Sequence, residues 1–196
     1  MPVMSAVERA FCRSAAWGSF ARHVVLPWAL ERRPLSGDVL ELGGGAGAMA
    51  DGVARRFPDL RLTVTDLDPA MVDAARRRLT LRGVTVQQAD VTAMTFEDAS
   101  FDYVTSYLML HHVIEWKTAL AETRRVLRPG GQLLGYDLTD TPTARWIHRL
   151  DRSPHRLLRR DDLADGLAAV GFEEITVSPT LGGQVMRFRA TKAIDA

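Results

Sequence analysis

The stretch VLELGGGAGAMADG, residues 39–52, places one acid, Glu41, inside an apolar run, then three adjacent glycines and a fourth at Gly47. A short apolar run bounded by glycine reads as a buried strand, Val39–Leu42. Beyond the glycines, Met49, Val53 and Phe57 recur at i, i+4 and i+8, one face of a helix that Pro58-Asp59 stops. Glycines between a strand and a helix permit a tight turn and a close approach of backbone to a ligand. The helix that follows contributes N–H groups with no partner inside the helix. In open α/β sheets this is where nucleotide-like ligands sit, outside the C-terminal ends of the strands.

The same order repeats outward from this stretch. Leu60–Thr65 reads as a second strand, and Asp68-Pro69 starts a helix with a capping acid and a proline at its first position. Met71, Val72, Ala75 and Leu79 form that helix's apolar face, and Gly83 ends it. Val84–Gln88 and Phe101–Ser106 are the third and fourth strands. Trp116–Leu127 reads as a helix closed by a turn at Pro129-Gly130-Gly131, and Gln132–Tyr136 as a fifth strand. Alternation from residue 37 to residue 137 predicts a mainly parallel sheet covered on both faces. A helix at Asp161–Val170, capped by Gly171, precedes two strands, Glu174–Val177 and Val185–Ala190. Only a Gly182-Gly183 turn separates them, so they should pair antiparallel. Residues 5–33 read as helical, with Phe11, Trp17, Phe20, Val24 and Trp28 among charges.

With 196 residues the chain is long enough for one domain with a full core. Its net charge of +1 singles out no class of partner. A lone cysteine, Cys12, excludes an internal disulfide and a thiolate zinc cluster. No apolar run approaches the roughly 20 residues that span a bilayer. Glu8, Arg9 and Arg13 interrupt any signal-peptide core. These features together predict a cytoplasmic protein.

Gly43, Gly45 and Ala48 also satisfy the dinucleotide pattern G-x-G-x-x-G/A, so a nicotinamide enzyme is a rival reading. Glu41, two residues before the first glycine, would repel a pyrophosphate there and suits a ligand bearing an ammonium or sulfonium charge. A phosphate-cradling P-loop is excluded, because no Lys-Ser or Lys-Thr follows the glycines.

Glu41-Leu42-Gly43-Gly44-Gly45-Ala46-Gly47 resembles the E/D-x-G-x-G-x-G motif of the class I S-adenosylmethionine-dependent methyltransferases. Val64-Thr65-Asp66-Leu67-Asp68-Pro69-Ala70-Met71 is similar to the family's second-strand motif, with its acid at the strand end, and Gln88-Ala89-Asp90-Val91 to its third. Phe101-Asp102-Tyr103-Val104-Thr105-Ser106, followed by Leu110-His111-His112, resembles the fourth, and Arg125-Val126-Leu127-Arg128-Pro129-Gly130-Gly131 the helix-to-strand turn. The resemblance implies a Rossmann-like open α/β fold: a mostly parallel seven-stranded sheet, helices on both faces and an antiparallel last strand. It also implies residues 37–196 as the S-adenosylmethionine-binding domain. Residues 1–36 lie outside the shared core and could form an N-terminal helical lid or substrate segment, although Trp17, Phe20 and Trp28 could equally pack that helix onto the sheet. Residues 142–160 would be a basic insertion after strand five.

Through the same resemblance, Asp66 accepts hydrogen bonds from the ribose hydroxyls, and Leu67 and Met71 line the adenine face. Asp90 accepts from the adenine amino group beside the Val91 N–H. Glu41 and the backbone of Gly43, Gly45 and Gly47 face the methionine end, with the carbonyls of Ser106 and Tyr107. Asp102 orients its strand and loop. His111 and His112 lie where an acceptor approaches, and either could serve as general base, with Asp137 a weaker candidate. A sulfonium methyl is already activated, so positioning alone could suffice. No acid–histidine cluster suggests a catalytic metal.

The predicted activity is methyl transfer to an O or N atom of a small molecule, giving S-adenosylhomocysteine. Arg145, Arg149, Arg152 and Arg156 follow one another at spacings of 4, 3 and 4, one helix face that Pro154 would bend. Such a stripe could attract an anionic acceptor, track an RNA backbone or simply be solvated. An RNA or protein methyltransferase and a non-catalytic S-adenosylmethionine-binding module are the alternatives.

Overall fold

Val39 and Glu41 point to one side of their strand and Leu40 and Leu42 to the other, and two cores grow from that alternation. The computed structural model describes residues 14–81, 83–151 and 155–194. Strand β1 (Asp38–Leu42) runs through the glycines into a helix (Ala48–Arg56) and then β2 (Arg61–Asp66). Next come a helix (Pro69–Arg78), β3 (Val84–Gln88) and β4 (Phe101–Tyr107). A 3₁₀ turn (Leu110–His112) leads to a helix at Trp116–Val126 and to β5 (Leu127–Leu138). Helices at Pro142–Asp151 and Arg160–Ala169 precede the hairpin of β6 (Phe172–Thr180) and β7 (Val185–Lys192). In front of all these, Ala15–Phe20 is α1, a π-helical turn covers Ala21–Val25, and Leu26–Ala29 is α2. The later helices, in the order just given, are α3 to α7.

The seven strands form one sheet in the order β3-β2-β1-β4-β5-β7-β6. Pairs among β1 to β5 are parallel, whereas β7 is antiparallel to both β5 and β6. The expected sheet, reversed last strand included, is therefore the one observed. From β1 the chain first builds outward to β2 and β3, then crosses back to β4. That reversal makes the C-terminal ends of β1 and β4 the crevice of the fold.

One core packs α5 and α7 on the sheet through Trp116, Leu120, Leu163 and Leu167, with Phe188 from β7. The other packs the N-terminal helices, α3 and α4 through Leu26, Leu30, Val53, Leu79 and Tyr136. At the start of α4, the Asp68 side chain accepts from the Ala70 amide at 2.8 Å and Pro69 takes the first helical position.

Two local expectations need correction. Helix α5 ends at Val126, not Leu127, and β5 begins with no intervening loop. The expected turn at residues 129–131 lies within β5 and appears as a register shift, with Phe101 opposite Leu127 but Tyr103 opposite Gln132. Pro129 lacks an N–H and Gly130 has φ 77°, so the strand bulges rather than stops. The N-terminal helix, expected over residues 5–33, is helical over Ala15–Ala29 and ends where Glu31 and Arg32 take positive φ of 50° and 59°. Phe11 and Cys12 lie outside the described residues. Within that helix, Arg22 pairs with Asp51 at 3.4 Å, and Trp28 sets its ring edge-on to Tyr136 at 5.2 Å.

At the N-terminal edge of the sheet, opposite the crevice, four charges lock four strands. The Asp102 carboxylate accepts from the Asp38 amide at 2.8 Å and from Arg128 at 2.7 Å. Arg61 and Arg128 both reach the Asp38 carboxylate, and the Arg61 hydrogen bond leads in holding its pKa below the usual value. Asp102 thus sits far from any ligand. Asp102→Ala is expected to lower unfolding stability by about 1–3 kcal/mol, since it leaves a backbone donor and a guanidinium without their acceptor. Urea unfolding checks this, and an unchanged midpoint would show that the network does not hold the edge.

Candidate functional site

Between β1 and α3 the chain makes a turn whose shape is set by its neighbours. Gly43, Gly45 and Gly47 have φ of 58°, 54° and 77°, a region that L side chains rarely occupy. The Gly44 amide donates to the Thr65 carbonyl at 2.9 Å, and the Gly47 amide closes back on the Gly44 carbonyl at 2.9 Å. At Gly44 an added Cβ would lie 2.9 Å from Glu41 Oε1, so the carboxyl packs directly beneath the turn. Among the described residues, none comes within 4 Å of an added Cβ at Gly45. The turn is therefore packed from below and open above.

Asp66, the last residue of β2, holds the open side. Its Oδ2 accepts from the Gly45 amide and its Oδ1 from the Asp68 amide, at 2.8 and 2.9 Å. Burial raises its pKa, with the amides of Asp68 and Gly45 opposing that shift. Each oxygen keeps a second lone pair, so the group can accept further hydrogen bonds from hydroxyls. Leu67 follows half-buried, its carbonyl accepting from Gln88 Nε2 at 2.9 Å. Met71 has no exposed surface and packs with Ala46 and Ala74. Asp90 uses Oδ1 for the amide and hydroxyl of Thr92, which hold its pKa down, and Val91 is buried.

Glu41, expected at the methionine end, is 1% exposed. It shares the α3 face with Val39, and its carboxyl accepts from the Ala50 amide. Burial pushes its pKa up to about 8, so the neutral acid is favoured in the folded protein at pH 7. Tyr107 is buried on the same face, its ring 5.6 Å from Tyr136, whereas Ser106 lines the opposite face beside Leu42 and Met109.

Where β4 leaves the sheet, Leu108 takes φ 51°, an uncommon conformation for a leucine, and its amide donates to Tyr136 at 2.9 Å. This turn drives Met109 against Gly43 so closely that a Cβ on the glycine would overlap it. His111 then meets Asp137 from the end of β5. The ring Nδ1 contacts Asp137 Oδ1, and the His111 amide donates to Oδ2 at 3.2 Å. His111 and Asp137 are 4% and 1% exposed. The His112 ring lies 4.0 Å away, half-buried. Past α6 the chain returns over this corner, the Arg156 amide donating to the His111 carbonyl at 2.6 Å and Leu158 bridging to Thr139. Sequence reasoning missed Leu108 and Met109, and gave Asp137 less weight than this pairing warrants. The acid at a strand end was the available signal.

In the basic segment, Arg145 is held by Asp140 at 2.6 Å and Arg160 lies 3.7 Å from Asp161. Arg152, Pro154 and the side chain of Arg149 lie outside the described residues.

A methyltransferase domain family matches residues 40–135, the span from β1 into β5 that carries the glycine turn, Asp66, Asp90 and His111. Over that span, just under half of its length, the chain is similar to the methyltransferase domain family. The chain is 33% identical over 152 residues to a malonyl-[acyl-carrier protein] O-methyltransferase of Halorhodospira halophila, covering 74% of this chain and 50% of that protein. It is 34% identical over 106 residues to a ubiquinone/menaquinone biosynthesis C-methyltransferase of Desulfotalea psychrophila, covering 54% and 43%. The chain thus spans about half the length of the curated relatives it matches. In fold it is similar to a methyltransferase solved with the Haloferax volcanii Trm112 methyltransferase activator, with a TM-score of 0.80 at 17% identity over 97% of this chain and 99% of that one. Among the described residues no helix is long and apolar enough to cross a membrane.

The buried Glu41 makes the protein's stability depend on pH. Unfolded, a glutamate titrates near 4.5, whereas folded Glu41 keeps its proton to about 8. Between these values the native state holds a proton that the unfolded state has released, so stability falls as pH rises through the window, by up to about 1.4 kcal/mol per pH unit. Glu41→Gln should flatten that decline between pH 5 and pH 8 in denaturant melts. Equal slopes in both proteins would place the Glu41 carboxyl in water.

Proposed function

We propose that this chain transfers the methyl group of S-adenosylmethionine to an oxygen or nitrogen atom of a small-molecule acceptor by in-line displacement. The observation that carries the reading is the Asp66 carboxylate bonded to the amide of Gly45, the glycine of the turn whose Cβ position no described residue approaches. In this reading Asp66 accepts from both ribose hydroxyls with the lone pairs its two amide bonds leave. Asp90 accepts from the adenine amino group through Oδ2, next to the Val91 amide. Leu67 lies against the adenine ring, and Met71 supports the turn from beneath through Ala46. The backbone of Gly43, Gly45 and Gly47 and the carbonyls of Ser106 and Tyr107 line the methionine end. Glu41 acts there through Gly44, which it supports. When bound, the sulfonium supplies an activated methyl group; the protein's own task is to align the acceptor and exclude water.

His111 or His112 receives the acceptor's proton. Residues 14–36 and the described part of 142–160 form the acceptor side, and an anionic acceptor suits the arginines of the second segment; residues 1–13 and 152–154 lie outside the described residues. Asp140 beside Arg145 and Asp161 beside Arg160 weigh against a continuous cationic track for an RNA backbone, whereas a small anion would need only one or two of the remaining arginines. One relative is named as an O-methyltransferase and another as a C-methyltransferase, so the kind of bond formed is the discriminating result. The absence of a bilayer-spanning helix among the described residues fits action in the cytoplasm.

Asp66→Ala should weaken S-adenosylmethionine binding about tenfold or more, because two hydrogen bonds to a charged acceptor are lost. Calorimetry on the two proteins measures this, and equal affinities would remove Asp66 from the site. Incubating the chain with cell extract and methyl-labelled cofactor should yield a labelled small molecule carrying O–CH₃ or N–CH₃. A labelled C–CH₃ product, labelled RNA or labelled protein would replace the acceptor assignment.

A further inference from the structure

The end of β5 carries a buried acid that cofactor binding alone does not explain. Asp137 has almost no exposed surface, yet three donors converge on it. Its Oδ1 meets His111 Nδ1 and accepts from the Leu138 amide at 2.6 Å, while its Oδ2 accepts from the His111 amide at 3.2 Å. His111 is thus gripped twice by one carboxylate, through its ring and through its backbone. A third tie, from the Arg156 amide to the His111 carbonyl, comes from the returning chain after α6. The corner abuts the cofactor turn, because Met109, two residues before His111, packs on Gly43.

We propose that Asp137 is the positioning residue for proton removal from the acceptor, fixing His111 in the tautomer that carries its hydrogen on Nδ1. An ionised carboxylate has no hydrogen to give, so the ring nitrogen facing it is the donor. A neutral imidazole with hydrogen on Nδ1 holds its basic lone pair on Nε2. As the acceptor atom forms its bond to the methyl carbon, the S–C bond breaks with its electron pair going to sulfur, and the acceptor's proton passes to Nε2. The resulting imidazolium is stabilised by the Asp137 charge already in contact with its other nitrogen. The double grip also keeps the ring from turning, which would exchange the two nitrogens. This inference rests on the methyl-transfer reading above and adds to it which histidine is the base and what holds it.

The test combines a spectroscopic readout on the ligand-free chain with a kinetic one. Long-range proton–nitrogen correlation on the ¹⁵N-histidine-labelled chain at neutral pH should show His111 as a single tautomer protonated on Nδ1. In Asp137→Asn the same ring should become a mixture of tautomers. S-adenosylhomocysteine affinity of that variant should stay within about twofold of the parent, while kcat for label transfer to the extract acceptor falls about 100-fold or more and the KM for S-adenosylmethionine holds. His111 protonated on Nε2 in the parent would overturn the proposal, and that measurement needs no variant. So would an Asp137→Asn protein that transfers label at the parental kcat. Failure of the parent chain to bind S-adenosylhomocysteine would instead sink the methyl-transfer reading, leaving the tautomer still readable.

Discussion

One hydrogen bond organises the ligand edge of this protein, from the Gly45 amide to the Asp66 carboxylate. It exists because β1 and β2 are parallel neighbours, which brings the last residue of β2 beside the turn that leaves β1. Four glycines in five positions carry a large conformational entropy, and little in their own chemistry would select one turn. The Asp66 carboxylate, the Thr65 carbonyl and the buried Glu41 carboxyl impose that selection from outside. The same constraint leaves an acid with spare lone pairs beside Gly45, whose Cβ position no described side chain approaches.

The two edges of the sheet are built for different ends. At the N-terminal edge, Asp38, Arg61, Asp102 and Arg128 tie strands together with ion pairs. At the C-terminal edge the ties run from strand ends to loops: Asp66 to the glycine turn, and Asp137 to the loop after β4. Behind these, Arg125 fixes the segment between β3 and β4, donating to the carbonyls of Met94 and Phe96 and pairing with Glu122 and Asp98. These three loops are therefore held by charged side chains from neighbouring elements, which preorganises the edge.

Much of this was legible in the sequence because it is local. The glycine turn, the Asp68-Pro69 helix start and the short Gly182-Gly183 link between the last two strands, a 3₁₀ turn in the structure, each signal through residues a few positions apart. Glu41 was legible only in part. Its place in the apolar run marked a buried acid, yet the period-two alternation with Val39 turns it onto the covered face, beneath the turn instead of above it. The contacts between Met109 and Gly43 and between His111 and Asp137 were beyond reach, since they join residues far apart through a loop whose path depends on Leu108 adopting positive φ. The bulge in β5 was hidden for a related reason: Pro-Gly-Gly reads as a turn until a neighbouring strand offers it partners.

The central claim is that the Asp66-clamped turn receives a sulfonium nucleoside and not a dinucleotide. Its most direct test is the backbone amide resonance of Gly45, followed by NMR as S-adenosylhomocysteine and, separately, NADH are titrated into the ¹⁵N-labelled chain. The account predicts a saturable shift of that resonance with S-adenosylhomocysteine and none with NADH. A saturable shift with NADH, or a Gly45 resonance indifferent to both, would contradict it.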